Sequence, residues 1–215
     1  NSAVLFSGEG RIVDRYDKIH LVPFGEYVPL KKLFSFVEKF ARSPIGDFSP
    51  GKEYKVFKFF IERRSASEDA TWKLLKKAKF SCLICFEDIF PDLTRQFVRS
   101  GAVFLVNITN DAWFGKTSAP YQHMQCSVFR AVENRVNVVR AANTGLSCFI
   151  DQKGRVNAVV ESGGRSLFMD GFKTYDIILT PTRTFYTAYG DVFTYICILY
   201  VLLCLAIYRT IKERP

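Results

Sequence analysis

A layered α/β fold, with sheets covered by helices and one membrane-spanning helix after it, is what this sequence predicts. Three observations carry the expectation. Apolar strand-like runs alternate with helical patterns through the middle of the chain, hairpin patterns follow later, and Val192–Tyr208 (VFTYICILYVLLCLAIY) holds no charge. The 215 residues, 48% hydrophobic and 24% charged, suffice for one domain with a full core plus a short appendage. The chain divides into a domain over 1–185 and, over 186–215, a span with a short basic tail.

Each element has its own signal. Ala3–Phe6 and Arg11–Tyr16 read as a hairpin around Gly8-Glu9-Gly10. Leu30, Leu33, Phe34, Val37 and Phe40 share a stripe, which predicts a helix over Leu30–Ala41. Ser43–Lys52 is loop, and Tyr54–Ile61 alternates as a strand. Basic residues crowd into Arg63 to Lys79, which reads as a solvated or membrane-facing insertion. Phe80–Cys85 is the next strand, followed by a helix over about Leu93–Ser100. The apolar run Ala102–Asn107 leads into polar Asn110-Asp111, the loop Ala112–Lys116 and a helix from about Ala119 to Arg135. Val136–Ala141, Leu146–Ile150 and Arg155–Val160 read as further strands.

As a helix, Val192–Tyr208 reaches roughly 25 Å, near the short limit for a bilayer span. Tyr186, Tyr189 and Tyr208 lie near its ends, and Arg209, Lys212 and Arg214 follow it. The positive-inside rule makes that tail cytoplasmic and puts the preceding domain on the outer side. Asn1–Gly8 reads as a strand already inside a domain and not as a signal peptide, so the chain looks like a C-terminal part. The 21 Phe and 10 Tyr favour a lipid-facing or acyl-binding surface. The formal charge of +9 comes without a zinc-finger or RNP-like pattern, so nucleic acid is not an expected partner. Cys82-x-x-Cys85 falls on a strand, where its two side chains point to opposite faces, and no second such pair exists. No metal or other cofactor is expected.

Cys85 is the nucleophile candidate. It ends an apolar strand just before Phe86-Glu87-Asp88 and a Pro91 helix start, which presents a side chain at the lip of a sheet. A thiolate attacking a carbonyl needs a proton acceptor, and the oxyanion needs donors. His20 and His123 are the papain-style candidates for a base. Lys18 is the more informative partner, because a fixed ammonium would lower the thiol pKa and stabilise an oxyanion. Taken singly, Lys18 also fits a surface lysine, Cys85 a small buried hydrophobe, Glu26 and Glu87 solvated carboxylates, and Trp113 a packed loop aromatic.

Taken together, these residues sit in recognisable phrases. Tyr16–Pro29 (YDKIHLVPFGEYVP) resembles the lysine motif of the nitrilase (carbon–nitrogen hydrolase) superfamily, and Cys82–Pro91 (CLICFEDIFP) resembles its cysteine motif. HLVPFGEYVPL (His20–Leu30), NDAWFG (Asn110–Gly115), RAVENR (Arg130–Arg135) and RAANTG (Arg140–Gly145) are similar to the apolipoprotein N-acyltransferase branch. That resemblance implies a nitrilase-like αββα sandwich facing the periplasm, anchored in the bacterial inner membrane. It implies transfer of a fatty acyl chain from a phospholipid to the N-terminal amine of diacylglyceryl-cysteine on an apolipoprotein. Cys85 would carry the thioester and Lys18 support the oxyanion. Glu26 and Glu87 fall on supporting positions, and Trp113 on a loop bordering substrate. Phe86 stands where a tyrosine is more usual, so a hydroxyl role there is lost. The family's glutamate base lies upstream of the lysine motif, beside a Trp-Pro-Glu-like phrase that does not precede Lys18 here. Glu9, in the hairpin turn, is too close to Lys18 to replace it. The chain then reads as a fragment, a split-gene product or a degenerate form, with a missing N-terminal membrane half as partner. Alternative readings are an inactive or partner-requiring piece, or a nitrilase-type amidase using water.

Overall fold

Two helices return the chain between three strands, and this connectivity makes the centre of the sheet parallel. The computed structural model describes residues 1–30, 46–63, 73–179 and 182–212. Strands β1 (Ser2–Phe6) and β2 (Ile12–Asp17) form the expected antiparallel hairpin. Strands β3 (Phe57–Arg63), β4 (Lys73–Ile84), β5 (Phe104–Thr109), β6 (Asn137–Ala142), β7 (Cys148–Ile150) and β8 (Val156–Val159) form one sheet in sequential order. β4, β5 and β6 are parallel, while β3 and the β7–β8 pair flank them antiparallel. The crossovers run through α1 (Pro91–Arg99) and α2 (Ala119–Asn134).

Register puts Ser81, Leu83, Leu105, Asn107, Val138 and Arg140 on one face of this parallel core, all essentially inaccessible. Helix α2 covers that face: its Ser127 hydroxyl accepts from Arg140 Nη1 at 3.2 Å, and its His123 ring lies 3.0 Å from Arg140 Nη2. The other face, with Ile84, Val106, Ile108 and Val139, is half-buried. Helix α1 starts on Pro91, whose missing N–H costs nothing at a helix start, and buries Leu93 and Phe97. The Phe97 ring meets Tyr16 of β2 edge-on at 5.4 Å.

Two expectations need revision and one falls elsewhere. Strand β4 begins at Lys73, so Lys73–Lys79 belongs to a ladder with β3 and is not an insertion loop. Backbone pairing with β3 outweighs the local excess of charge there. β5 starts two residues later than the apolar run suggested: Ala102 N still closes on the Phe97 carbonyl at the end of α1, and Val103 N bonds the Lys79 carbonyl of β4. Of the helix expected over Leu30–Ala41, residues 31–41 lie outside the described residues, and Leu30 itself is in a turn with φ 46°.

After the sheet, α3 (Phe185–Tyr189) docks on the helix layer and α4 (Val192–Lys212) leaves it. The Thr184 hydroxyl caps α3, accepting from Thr187 N at 2.9 Å, and donates to the Glu133 carbonyl at 2.6 Å. Arg95 of α1 donates to the carbonyls of Tyr186, Thr187 and Ala188, each at 3.1 Å. Contacts with the domain therefore continue through Ala188. Along α4, Val192–Arg209 has mean hydropathy 2.1 and none of it is buried against the domain. At 1.5 Å per residue the helix is about 31 Å long, so it is long and apolar enough to cross a membrane.

Candidate active site

The carboxyl ends of β4, β5 and β6 lie side by side, and each delivers candidate residues to one lip. Cys85 follows β4, Asn110 and Asp111 follow β5, and Asn143 follows β6. Open ends of parallel strands are where α/β folds place their sites, because the loops there are free of the sheet's own hydrogen bonding.

Cys85 opens a 3₁₀ turn (Cys85–Ile89) and has φ 53°, a left-handed conformation that a non-glycine residue adopts at a steric cost. The strain is held by partners. Asn107 Nδ2 donates to the Cys85 carbonyl at 3.1 Å, and Glu87 accepts from the Ile84 N–H at 2.8 Å. The thiol faces the Asn110 carbonyl at 4.0 Å. Cys82 behaves differently: it is buried in β4, and burial with the Glu87 charge pushes its thiol pKa up to about 12. Only Cys85 of the two lies at the lip.

Glu87 joins the cysteine turn to the lysine segment. Fully buried, its carboxylate accepts from Tyr16 Oη at 2.8 Å, Ile19 N at 2.7 Å and His20 N at 3.1 Å, besides Ile84 N. Burial raises its pKa, and the four donors oppose that rise. One side chain thus bonds the residue before Cys85 and the two residues after Lys18. Lys18 is itself only 1% exposed, and its Nζ donates to both oxygens of Glu26 at 2.8 Å. Glu26 also accepts from Val22 N at 2.9 Å and from Asn1 Nδ2 at 2.6 Å. Two of the three ammonium protons are engaged, and Nζ has no further partner among the described residues.

Phe86 packs edge-on against Phe90 at 5.7 Å, and Phe90 stacks on His20 at 4.3 Å. On a continued strand His20, two residues after Lys18, would face the same way as Lys18. β2 ends at Asp17, however, so the strand alternation stops and the imidazole turns to Phe90. Trp113, on the 3₁₀ turn Ala112–Phe114, is 75% exposed. Glu9 sits at the exposed hairpin tip, 3.5 Å from Arg11.

His123 is where the base expectation fails. Its Nδ1 lies 2.8 Å from Asp111 and its Nε2 2.9 Å from Asp88, so both ring nitrogens face carboxylates. Burial by itself would lower its pKa. The hydrogen bonds to Asp111 and Asp88 outweigh that and raise it to about 9. An imidazolium held this way has no lone pair to offer a thiol. Arg140, fully buried, completes the cluster with Nη1 on Asp88 at 2.9 Å and Nη2 on Asp111 at 3.0 Å. Its Nη1 also donates to Asn107 Oδ1 at 2.7 Å, and Asn107 holds the Cys85 carbonyl. Gly145 is required beside this cluster, because a Cβ there would collide with the Asp111 carboxylate.

The raised His123 pKa has a measurable consequence. Its ordinary value is 6.5, so the stabilisation is fully present below that pH and is lost as pH rises through about 9. The difference amounts to about 3 kcal/mol on the linkage relation. Urea unfolding at about pH 6 and about pH 9.5 should show this loss, and His123→Asn should largely flatten it.

With the geometry in hand, the chain's relationships are plain. It belongs to the carbon-nitrogen hydrolase family, whose model matches residues 1–168, and its α/β sheet is a nitrilase fold. More particularly, it is 48% identical to the apolipoprotein N-acyltransferase of Geobacter metallireducens, over 92% of this chain and 34% of that protein. The apolipoprotein N-acyltransferase of Chlorobaculum tepidum is 36% identical over 92% of this chain and 34% of its own. Apolipoprotein N-acyltransferase 2 of Treponema denticola is 37% identical over 89% and 34%. The chain spans about a third of the length of these curated relatives. Among solved structures, Saccharomyces cerevisiae Nit3, of branch 10 of the nitrilase superfamily, matches with TM-score 0.46 at 21% identity, covering 74% of this chain and 48% of that one.

Proposed function

We propose that this chain is the cysteine-nucleophile part of a membrane-bound lipid-to-protein N-acyltransferase. It moves a fatty acyl chain from a phospholipid to the α-amino group of diacylglyceryl-cysteine on an apolipoprotein. The observation that best supports this is the left-handed Cys85 at the sheet lip, joined through Glu87 to the segment bearing Lys18. In the first step the Cys85 thiolate attacks the acyl ester carbonyl, and the third N–H of Lys18 stabilises the oxyanion. Collapse releases the lysophospholipid, whose alkoxide takes up the proton the thiol gave. In the second step the amine attacks the thioester, the amide forms, and the amine's proton restores the thiol. Trp113 borders the acyl path, and Phe86 lines it without a hydroxyl. Helix α4 crosses the bacterial inner membrane, with the domain periplasmic and the tail after it cytoplasmic. The names borne by the relatives support the same reading.

The thiol proton needs an acceptor. Glu26 accepts from Lys18, Asn1 and Val22, Glu87 accepts from four donors, and His123 is protonated. We assign the base outside the described residues, to a partner N-terminal membrane segment, in keeping with a chain that spans about a third of its curated relatives. General-base help is typically worth about 10²–10⁴ in rate. Residues 1–215 expressed alone in a host depleted of its own acyltransferase should leave lipoproteins without their third acyl chain. Co-expression with the N-terminal two thirds of the Geobacter metallireducens relative should restore it. Complementation by 1–215 alone would put the base in this chain, with Glu9, Glu26 or Glu87 the first suspects. Failure of both would contradict the proposed activity.

A further inference from the structure

After the Ala112–Phe114 turn lies a cavity of about 430 Å³ lined by Lys116, Thr117, Arg165, Leu167 and Phe168. Its lining carries two cations and no carboxylate. The Lys116 ammonium sits over the Phe168 ring, 5.8 Å from its centroid, so the charge is held at the cavity wall. Phe168 has φ 52°, and its N–H donates to the Thr144 carbonyl at 3.1 Å. That bond fixes the second wall to the turn after β6.

A series of hydrogen bonds runs from the cavity wall toward the thiol. Asn143, next to Thr144, donates from Nδ2 to Asn110 Oδ1 at 2.7 Å, and the Asn110 carbonyl is the group facing Cys85 Sγ. Lys116 closes the same loop six residues after Asn110. A ligand seated here thus lies along the loop that borders the nucleophile.

We infer that Lys116 and Arg165 form a subsite for the phosphodiester of the glycerophospholipid acyl donor. This rests on the proposed acyl-transfer reading and adds to it the residues that select the donor. An ammonium and a guanidinium together suit a phosphodiester, since Arg offers paired donors and Lys a mobile point charge. Leu167 and Phe168 supply apolar contact for the glycerol and the first methylenes. A glycerophospholipid carries its phosphate only a short glycerol arm from the ester carbonyl, so the subsite requires the ester to reach from this cavity along the loop toward Cys85.

The test uses the full natural chain in detergent micelles and the double variant Lys116→Ser with Arg165→Ser. Binding of dihexanoylphosphatidylglycerol, measured by calorimetry, should weaken about tenfold or more in the variant, the scale of losing charge-assisted contacts. The urea midpoints of the two proteins establish that both are folded. Inorganic phosphate should bind the parent protein far more weakly than the lipid. In parallel, the rate of Cys85 acylation from dioleoylphosphatidylglycerol, divided by that from dioleoylglycerol, should fall by a similar factor. Unchanged lipid affinity in the variant overturns the subsite, and so does inorganic phosphate binding as tightly as the lipid. If no donor acylates Cys85 yet the binding contrast persists, the acyl-transfer reading fails while the phosphate subsite stands.

Discussion

Replacing Lys18 by alanine lowers the rate of Cys85 acylation by about a hundredfold or more, the scale of losing one oxyanion donor in a dry site. The expectation follows from how completely the ammonium is placed. Lys18 is 1% exposed, and Glu26 grips Nζ through both oxygens, which aims the remaining proton in a fixed direction. Glu26 is in turn held by Val22 N and Asn1. Preorganisation of this kind avoids the reorganisation that water would need during the reaction. Lys18→Arg should not rescue the rate, because a planar guanidinium cannot keep the same charge position against Glu26. Single-turnover acylation followed by mass spectrometry reads the effect. Near-normal rates in Lys18→Ala would return this residue to a structural role.

Arg140→Met destabilises the fold by about 3–5 kcal/mol, the cost of breaking a buried ion pair from one side. The substitution keeps the volume roughly while stripping partners from Asp88 and Asp111, neither of which has any exposed surface. It also frees Asn107 Oδ1 and the Ser127 hydroxyl from their Nη1 contacts. His123 alone would then neutralise two carboxylates. Urea denaturation measures the loss, and a change under about 1 kcal/mol would mean that the cluster relaxes around the gap. Since Asn107 holds the Cys85 carbonyl, the folded fraction should also acylate more slowly.

Much of this architecture was legible in the residues. The β1–β2 hairpin, helix α2 and strands β6 to β8 follow from alternation, helical spacing and turn glycines, which are local signals. Cys85 and Lys18 were legible because each sits at a pattern break, a strand end and a polar phrase. The start of β4 was not, since lysines at 73, 76, 77 and 79 read as solvated chain until a partner strand pairs them. The carboxylate cluster was missed for a related reason. Asp88, Asp111, His123 and Arg140 are brought together only by three parallel strand ends and α2. One signal was available: Arg140 stands in the apolar run Val138-Val139-Arg140-Ala141, and a charge on a buried strand must find opposite partners. That argument would have moved His123 from base to structural cation.

The most direct test of the account is the chemistry of one sulfur. The full natural chain, purified in detergent and incubated with phospholipid, is digested and its cysteine peptides are weighed by mass spectrometry. The account predicts a fatty-acyl thioester on Cys85, released by hydroxylamine and absent in Cys85→Ser. An adduct on Cys82, or persistence of the acyl transfer in Cys85→Ser, would contradict it.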